Sequence, residues 1–264
     1  MLTTDELTFK NMATAILSAL PEEQTGLSAL LKSAERIFHA GREFGLGEIH
    51  GQQVVLALSG IGKVAAATTA TALIERFKVQ RIIFTGVAGG LQAGVQVGDI
   101  VLGSSYVQHD MDASPLFPRF VSPSIGKAIL SADAELITTL LIAAQAVYTK
   151  VSSENMLKNS LKNTIHQGLI ASGDRFVSSA AEVQALRTAL PEALCVEMES
   201  AAVAQVCHDY GLPFAAVRTI SDRADDTAHV DFNQFVRDVA GPLAVQLMDI
   251  YFSNIAAQAK LSSS

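Results

Sequence analysis

Residues 54–90, VVLALSGIGKVAAATTATALIERFKVQRIIFTGVAGG, decide the fold. The opening run VVLALSG is continuously apolar and stops at Ser59-Gly60, the pattern of a strand buried on both faces. Residues 63–77 are rich in Ala and apolar on nearly every face, which predicts a helix packed on several sides. RIIFT at 81–85 is a second buried strand, and the cluster Gly86-Val87-Ala88-Gly89-Gly90 behind it is expected to be a tight turn. Strand, helix and strand in succession, each without a polar face, belong to an α/β sheet covered by helices.

The same alternation extends both ways. Residues 13–20 (ATAILSAL) form a short apolar run followed by Pro21-Glu22-Glu23, a strand feeding a helix whose first turn carries carboxylates. Residues 36–58 alternate in polarity and are broken by Gly41, Gly45, Gly47 and Gly51, which predicts an antiparallel meander. Further strands are expected at 99–102, 168–172, 194–197 and 214–220. Helices are expected at 133–150 behind an Asp cap, at 200–210 and from 232 to about 255. The fold class is therefore α/β, a single domain over residues 13–256 with a mixed sheet, preceded by a tail at 1–12 and followed by one at 257–264. The polar stretch 151–163 is expected to be a loop or a surface helix.

The chain has 264 residues, 49% hydrophobic and 17% charged, with mean hydropathy +0.31, enough apolar material for a deep core. Its net charge of −7 makes a nucleic-acid partner an unfavourable expectation, because phosphate neutralisation needs the opposite sign. No run reaches the ~18 apolar residues of a bilayer span, and the first dozen residues lack a basic start with an apolar core behind it, so a cytoplasmic protein is expected. Cys195 and Cys207 sit inside apolar runs, as buried thiols do in a reducing compartment, and the spacing of a zinc site is missing.

In open α/β sheets ligands gather at the carboxyl ends of strands. Behind the expected strands lie Glu22 and Glu23, then SGIGK (59–63), GVAGG (86–90), SGDRF (172–176), VEMES (196–200) and RTISD (218–222). Neither glycine cluster has the spacing of a triphosphate loop or a dinucleotide fingerprint. Taken singly, Glu22 and Glu23 read as first-turn residues, and Asp174 and Asp222 as helix caps. Glu199, beside Glu197 in the apolar run ALCVEMESAAVA, requires a partner, since an unpaired buried carboxylate costs several kcal/mol. A ligand hydroxyl is a suitable one.

The set ALPEE, SGIGKVAAA, TGVAGG, VGDIV, HDMDASP, SGDRF, VEMESAAVA and RTISDRAD, in this order, resembles the bacterial 5′-methylthioadenosine/S-adenosylhomocysteine nucleosidases of the purine nucleoside phosphorylase superfamily. The resemblance covers residues 13–255; VEME before a small residue and R-x-I-S-D-x-A-D are its specific motifs. It implies a partly barrelled mixed sheet, a homodimer, no metal and no organic cofactor. It implies that Asp222 is the acid that protonates adenine N7 and Glu23 the base that deprotonates the attacking water. Glu199, beside Glu197, would accept from the ribose hydroxyls, with Met198 beneath the sugar and Arg218 near the water. Phe176 would stack on adenine, the Val177 backbone would read its edge, and Ser221 would hold Asp222. Ile61 and Phe232 would line an alkylthio pocket closed by Ala113 and Leu116 of the neighbouring subunit. Val87 stands where many relatives carry a hydroxyl residue, Pro21 replaces an acidic residue, and Leu116 replaces an aromatic one.

Three other readings share the scaffold. A nucleoside phosphorylase would place cations over the sugar, whereas Glu23 would repel phosphate. A non-catalytic nucleoside-binding protein would not need an acid and a base on opposite sides of a sugar. A nucleosidase acting on futalosine derivatives shares much of the site.

Overall fold

The computed structural model describes residues 13–154, 163–223 and 232–262. The expected tail at 1–12, most of the polar stretch 151–163, and Ala224 and Asp225 of the last motif lie outside the described residues. The strands are β1 (Thr14–Ser18), β2 (Lys32–His39), β3 (Arg42–Ile49), β4 (Gln52–Leu58), β5 (Arg81–Gly90), β6 (Ile100–Gln108), β7 (Ile129–Ser131), β8 (Ile165–Ser172), β9 (Ala193–Glu197) and β10 (Phe214–Asp222). The helices are α1 (Pro21–Leu30), α2 (Lys63–Glu75), α3 (Ala134–Glu154), α4 (Ala180–Ala189), α5 (Ser200–Tyr210), α6 (Phe232–Phe235) and α7 (Gly241–Ser262).

All the strands join one mixed sheet in a single α/β domain. Its order runs β10-β6-β8-β9-β5-β1-β4-β3-β2, and an additional β10–β5 pairing closes the first five into a ring. The fold is thus a partial barrel with an open wing. Strand β5 is the fork: residues 81–84 pair with β1 in parallel, residues 82–89 pair with β10, and Gly89 and Gly90 pair with β9. The cluster GVAGG is therefore not the expected tight turn but the end of a strand. Gly86 explains the composition, because a Cβ there would stand 2.8 Å from Glu23 Oε1 and 2.9 Å from Arg218 Nη1. The missing side chain lets two charged groups reach the strand.

One face of the sheet packs on α2 and α5 through Leu73, Phe77, Val203 and Cys207; the other packs on α3 and α7 through Leu140, Val147, Met248 and Phe252. A third cluster, with Leu91, Val107, Val183 and Leu186, seats α4. The meander formed as expected, β2–β3 and β3–β4 both pairing antiparallel.

Several boundaries differ from expectation. Strand β6 runs on to Gln108, past an irregularity between Gly103 and Ser105, because its far end pairs with both β7 and β8. Helix α3 continues through Glu154 into the stretch expected to be a loop or a surface helix, and α7 continues through Ser262 into the expected tail. Ala256, Ala257, Gln258, Ala259 and Lys260 are strong helix formers, with no Gly or Pro to stop them. The expected single helix from 232 is interrupted by a π-helical segment, Val236–Ala240, just ahead of Pro242, which withholds a backbone amide. Helix α4 was not anticipated, although Ser179 and Glu182 carry the S-x-x-E signature and Ser179 Oγ accepts from the Glu182 amide.

Candidate active site

The carboxyl ends of β1, β5, β8, β9 and β10 converge on a cavity of about 480 Å³. Its wall includes Glu23, Ile61, Val87, Phe176, Val177, Glu197, Met198, Glu199, Ser221, Asp222 and Phe232. Of the residues singled out in the sequence, Arg218, Ala113 and Leu116 are not on this wall. Glu22, Arg175 and Asn233 line it without having been anticipated as ligand contacts. All three are next to residues that were, so adjacency was the one available signal.

Glu23 is both a helix-start residue and a cavity residue. Helix α1 has Leu20 at its N-cap, a residue without a polar side chain, so Glu23 at the third helical position reaches back instead. Its Oε2 accepts from the amides of Ala19 (2.8 Å) and Leu20 (2.9 Å), and Oε1 accepts from Val87 N at 3.2 Å. Burial raises its pKa above the ordinary carboxylate value, against the lowering effects of Arg218 and those amides. A carboxylate whose pKa is raised is a stronger base than an ordinary one.

Glu197 and Glu199 divide sharply in role. Glu197 Oε2 takes Arg218 Nη2 at 2.7 Å, and further bonds come from the Ser200 amide and hydroxyl, the Glu199 amide and Ser172 Oγ. Its carboxylate is thus saturated by protein donors. Glu199 Oε1 accepts from the Gly62 amide at 2.8 Å. Desolvation first, and the neighbouring Glu197 charge second, push Glu199 up to about 8. Such a group gains from a ligand that supplies donors.

Arg218 is 1% exposed and lies behind the wall, its guanidinium stacked 4.2 Å over the Phe84 ring. It acts on the cavity through Glu197 and through its charge near Glu23.

Asp222 closes β10, where a register irregularity between Ile220 and Asp222 interrupts the pairing with β5. An irregularity of this kind re-aims a side chain, and Asp222 lines the cavity. Ser221 Oγ donates to Asp222 Oδ2 at 2.6 Å. Phe176 and Phe232 meet edge to face, with centroids 6.4 Å apart, and supply an aromatic wall. Among the described residues no group of three His, Cys, Asp or Glu side chains is placed to hold a metal ion.

Five carboxylates, two aromatic rings and Met198 around one cavity are the equipment of a site for a flat, hydroxylated, partly apolar ligand. The phosphorylase superfamily pattern matches residues 13–253. A 5′-methylthioadenosine/S-adenosylhomocysteine nucleosidase of Bacillus thuringiensis (strain Al Hakam) is 37% identical over 229 residues, 87% of this chain and 94% of the relative. This chain belongs to that nucleosidase family, within the phosphorylase superfamily. The Neisseria meningitidis nucleosidase in complex with methylthio-immucillin-A superimposes with TM-score 0.82 at 33% identity, covering 92% of this chain and 99% of that one. Futalosine hydrolase of Helicobacter pylori superimposes with TM-score 0.76 at 32% identity, covering 91% and 97%. The family membership accounts for the fold and for the sequence motifs that meet at the cavity.

Proposed function

We propose that the chain hydrolyses the N-glycosidic bond of 5′-methylthioadenosine and S-adenosylhomocysteine, releasing adenine and the 5′-thioribose. The observation that carries this reading is the joint presence of Glu23, Glu199 and Asp222 on one cavity wall. In the reaction the C1′–N9 bond breaks toward an oxocarbenium-like transition state. Asp222 delivers its proton to adenine N7, so that the base leaves neutral. Glu23 takes a proton from water as the water oxygen bonds to C1′. Glu199 accepts from the ribose hydroxyls, Met198 packs beneath the sugar, and Phe176 stacks on the purine while the Val177 backbone reads its edge. Ile61 and Phe232 line the alkylthio end.

We further propose that this end is closed by a second copy of the chain. Leu116 is 84% exposed, Phe117 beside it is also exposed, and so is Ile61 on the cavity wall, so each end of the proposed contact offers apolar surface. Ala113 and Leu116 would reach the neighbour's cavity from the loop behind β6. The buried free thiols Cys195 and Cys207 support assignment to a reducing, cytoplasmic compartment. Among the described residues no helix is long and apolar enough to cross a membrane.

The test is adenine release from methylthioadenosine, S-adenosylhomocysteine, adenosine and a futalosine derivative, each with and without phosphate. Phosphate-independent release from the thio-nucleosides is expected. Acceleration by phosphate would make the chain a phosphorylase instead. Preference for the futalosine derivative would favour the second reading, which the Helicobacter pylori hydrolase supports by its similar fold.

A further inference from the structure

The amino end of α2 serves two carboxylates at once. Gly62 and Lys63 present successive backbone amides that have no partner within the helix. Gly62 N donates to Glu199 Oε1 at 2.8 Å, and Lys63 N donates to Asp174 Oδ1 at 2.6 Å. Gly62 has φ 98°, and a Cβ on it would come within 3.0 Å of Asp174 Oδ1, so this turn is both left-handed and packed against the aspartate. Asp174 belongs to the SGDRF turn after β8, and Glu199 to the turn after β9. Two strand ends therefore share one helix terminus, whose partial positive charge favours both.

Asp174 is itself held in place. Its backbone amide donates to Asp110 Oδ2 at 2.9 Å, while Asp110 Oδ1 receives Lys63 Nζ at 2.6 Å. Lys63 Nζ also donates to Gln108 Oε1 at 3.1 Å, and Gln108 Nε2 donates to Gln205 Oε1 on α5. Lys63 is thus clasped at both ends, its amide by Asp174 and its ammonium by Asp110, in a closed ring of charged partners. Asp174 does not line the cavity, so its influence on a ligand must pass through α2.

We propose that Asp174 is a positioning residue for sugar recognition: by fixing the amino end of α2 it places the Gly62 amide, and through that amide the Glu199 carboxylate. The proposal rests on Glu199 binding the ribose hydroxyls, as in the reaction above. Among the described residues Gly62 N is the one donor to the Glu199 carboxylate, which leaves it few ways to hold its rotamer. Without Asp174 the turn carrying Gly62 loses its anchor, and Glu199 loses its aim at the sugar before it loses anything else.

The test measures calorimetric affinity for a carbon-linked, non-hydrolysable adenosine analogue, for the same analogue lacking its 2′ and 3′ hydroxyls, and for adenine. In the unmodified protein the hydroxylated analogue binds more tightly, and the ratio reports the contact between Glu199 and the diol. Asp174→Ala is expected to reduce that ratio at least ~10-fold, the size of a lost charged hydrogen bond, and to leave adenine affinity within about threefold. Asp174→Asn keeps an oxygen that accepts from Lys63 N and should recover most of the ratio. If Asp174→Ala does not fold, Asp174→Ser, whose hydroxyl is too short to reach that amide, replaces it. An unchanged ratio, or equal losses for adenine and the diol analogue, overturns the positioning role. No ratio in the unmodified protein would refute sugar binding by Glu199, and with it this proposal, whatever the variants do.

Discussion

Arg218 Nη2 stands 2.7 Å from Glu197 Oε2, with both side chains almost wholly removed from water. Behind a ligand cavity, such a pair is a strut: the middle of β10 and the end of β9 are tied by charge. Ser172, Ser200 and the Glu199 amide complete the carboxylate's hydrogen bonds. An isolated charge in this position would be strongly unfavourable.

Removing one partner should therefore cost more than removing both. Arg218→Met alone is expected to destabilise the fold by about 3–5 kcal/mol, because it leaves the Glu197 charge buried and uncompensated. The double change Arg218→Met with Glu197→Leu should be less destabilising than that single one. Urea unfolding of the set is the measurement, and additive losses would refute the strut.

Asp222→Asn tests the acid. The amide keeps the shape of the side chain but cannot deliver a proton, so turnover of methylthioadenosine should fall by at least ~10²-fold with the unfolding midpoint nearly unchanged. Turnover close to that of the unmodified protein would remove Asp222 from the mechanism.

Glu199 gives a prediction in pH. Its pKa lies at about 8 in the folded protein against an ordinary value of 4.5. Between those values the folded state retains a proton that the unfolded chain has released, so stability falls as pH rises through this window. Glu23, also raised, adds to the same slope at its own pH. Glu199→Gln should flatten the decline of melting temperature between about pH 5 and 8; a steeper decline would contradict the assignment. The same variant should weaken ribosides far more than adenine.

Assembly can be tested at Leu116. A chain of 27.9 kDa is expected to sediment at twice that mass, and Leu116→Asp should weaken both self-association and thio-nucleoside affinity. A fully active monomer would exclude a shared site.

Much of this was legible because burial leaves a plain trace in sequence. The runs VVLAL, RIIF and FAAVRTI are strands in the structure because β-branched and apolar residues without a polar face fit only the inside of a covered sheet. Glu199 was legible as a carboxylate in need of a partner because its neighbours are apolar. The fork in β5 was not, since glycines specify a strand crowded by Glu23 and Arg218 as readily as a turn. Nor was the clasp of Lys63 by Asp110 and Asp174, which joins residues 47 and 111 positions apart through tertiary geometry alone.

The two oxygens of Glu23 live in different chemical worlds. One is saturated by the amides of Ala19 and Leu20, and the other meets Val87 N at the looser distance of 3.2 Å. In the proposed hydrolysis this splits a symmetric functional group into an anchor and a working atom. Proton transfer then has one stereochemical face rather than two, and the lone pairs presented to water are selected by the start of a helix. Shortening the residue, as in Glu23→Asp, should therefore disturb folding and hydrolysis together, while Glu23→Gln, which can keep an oxygen toward those amides, should separate them.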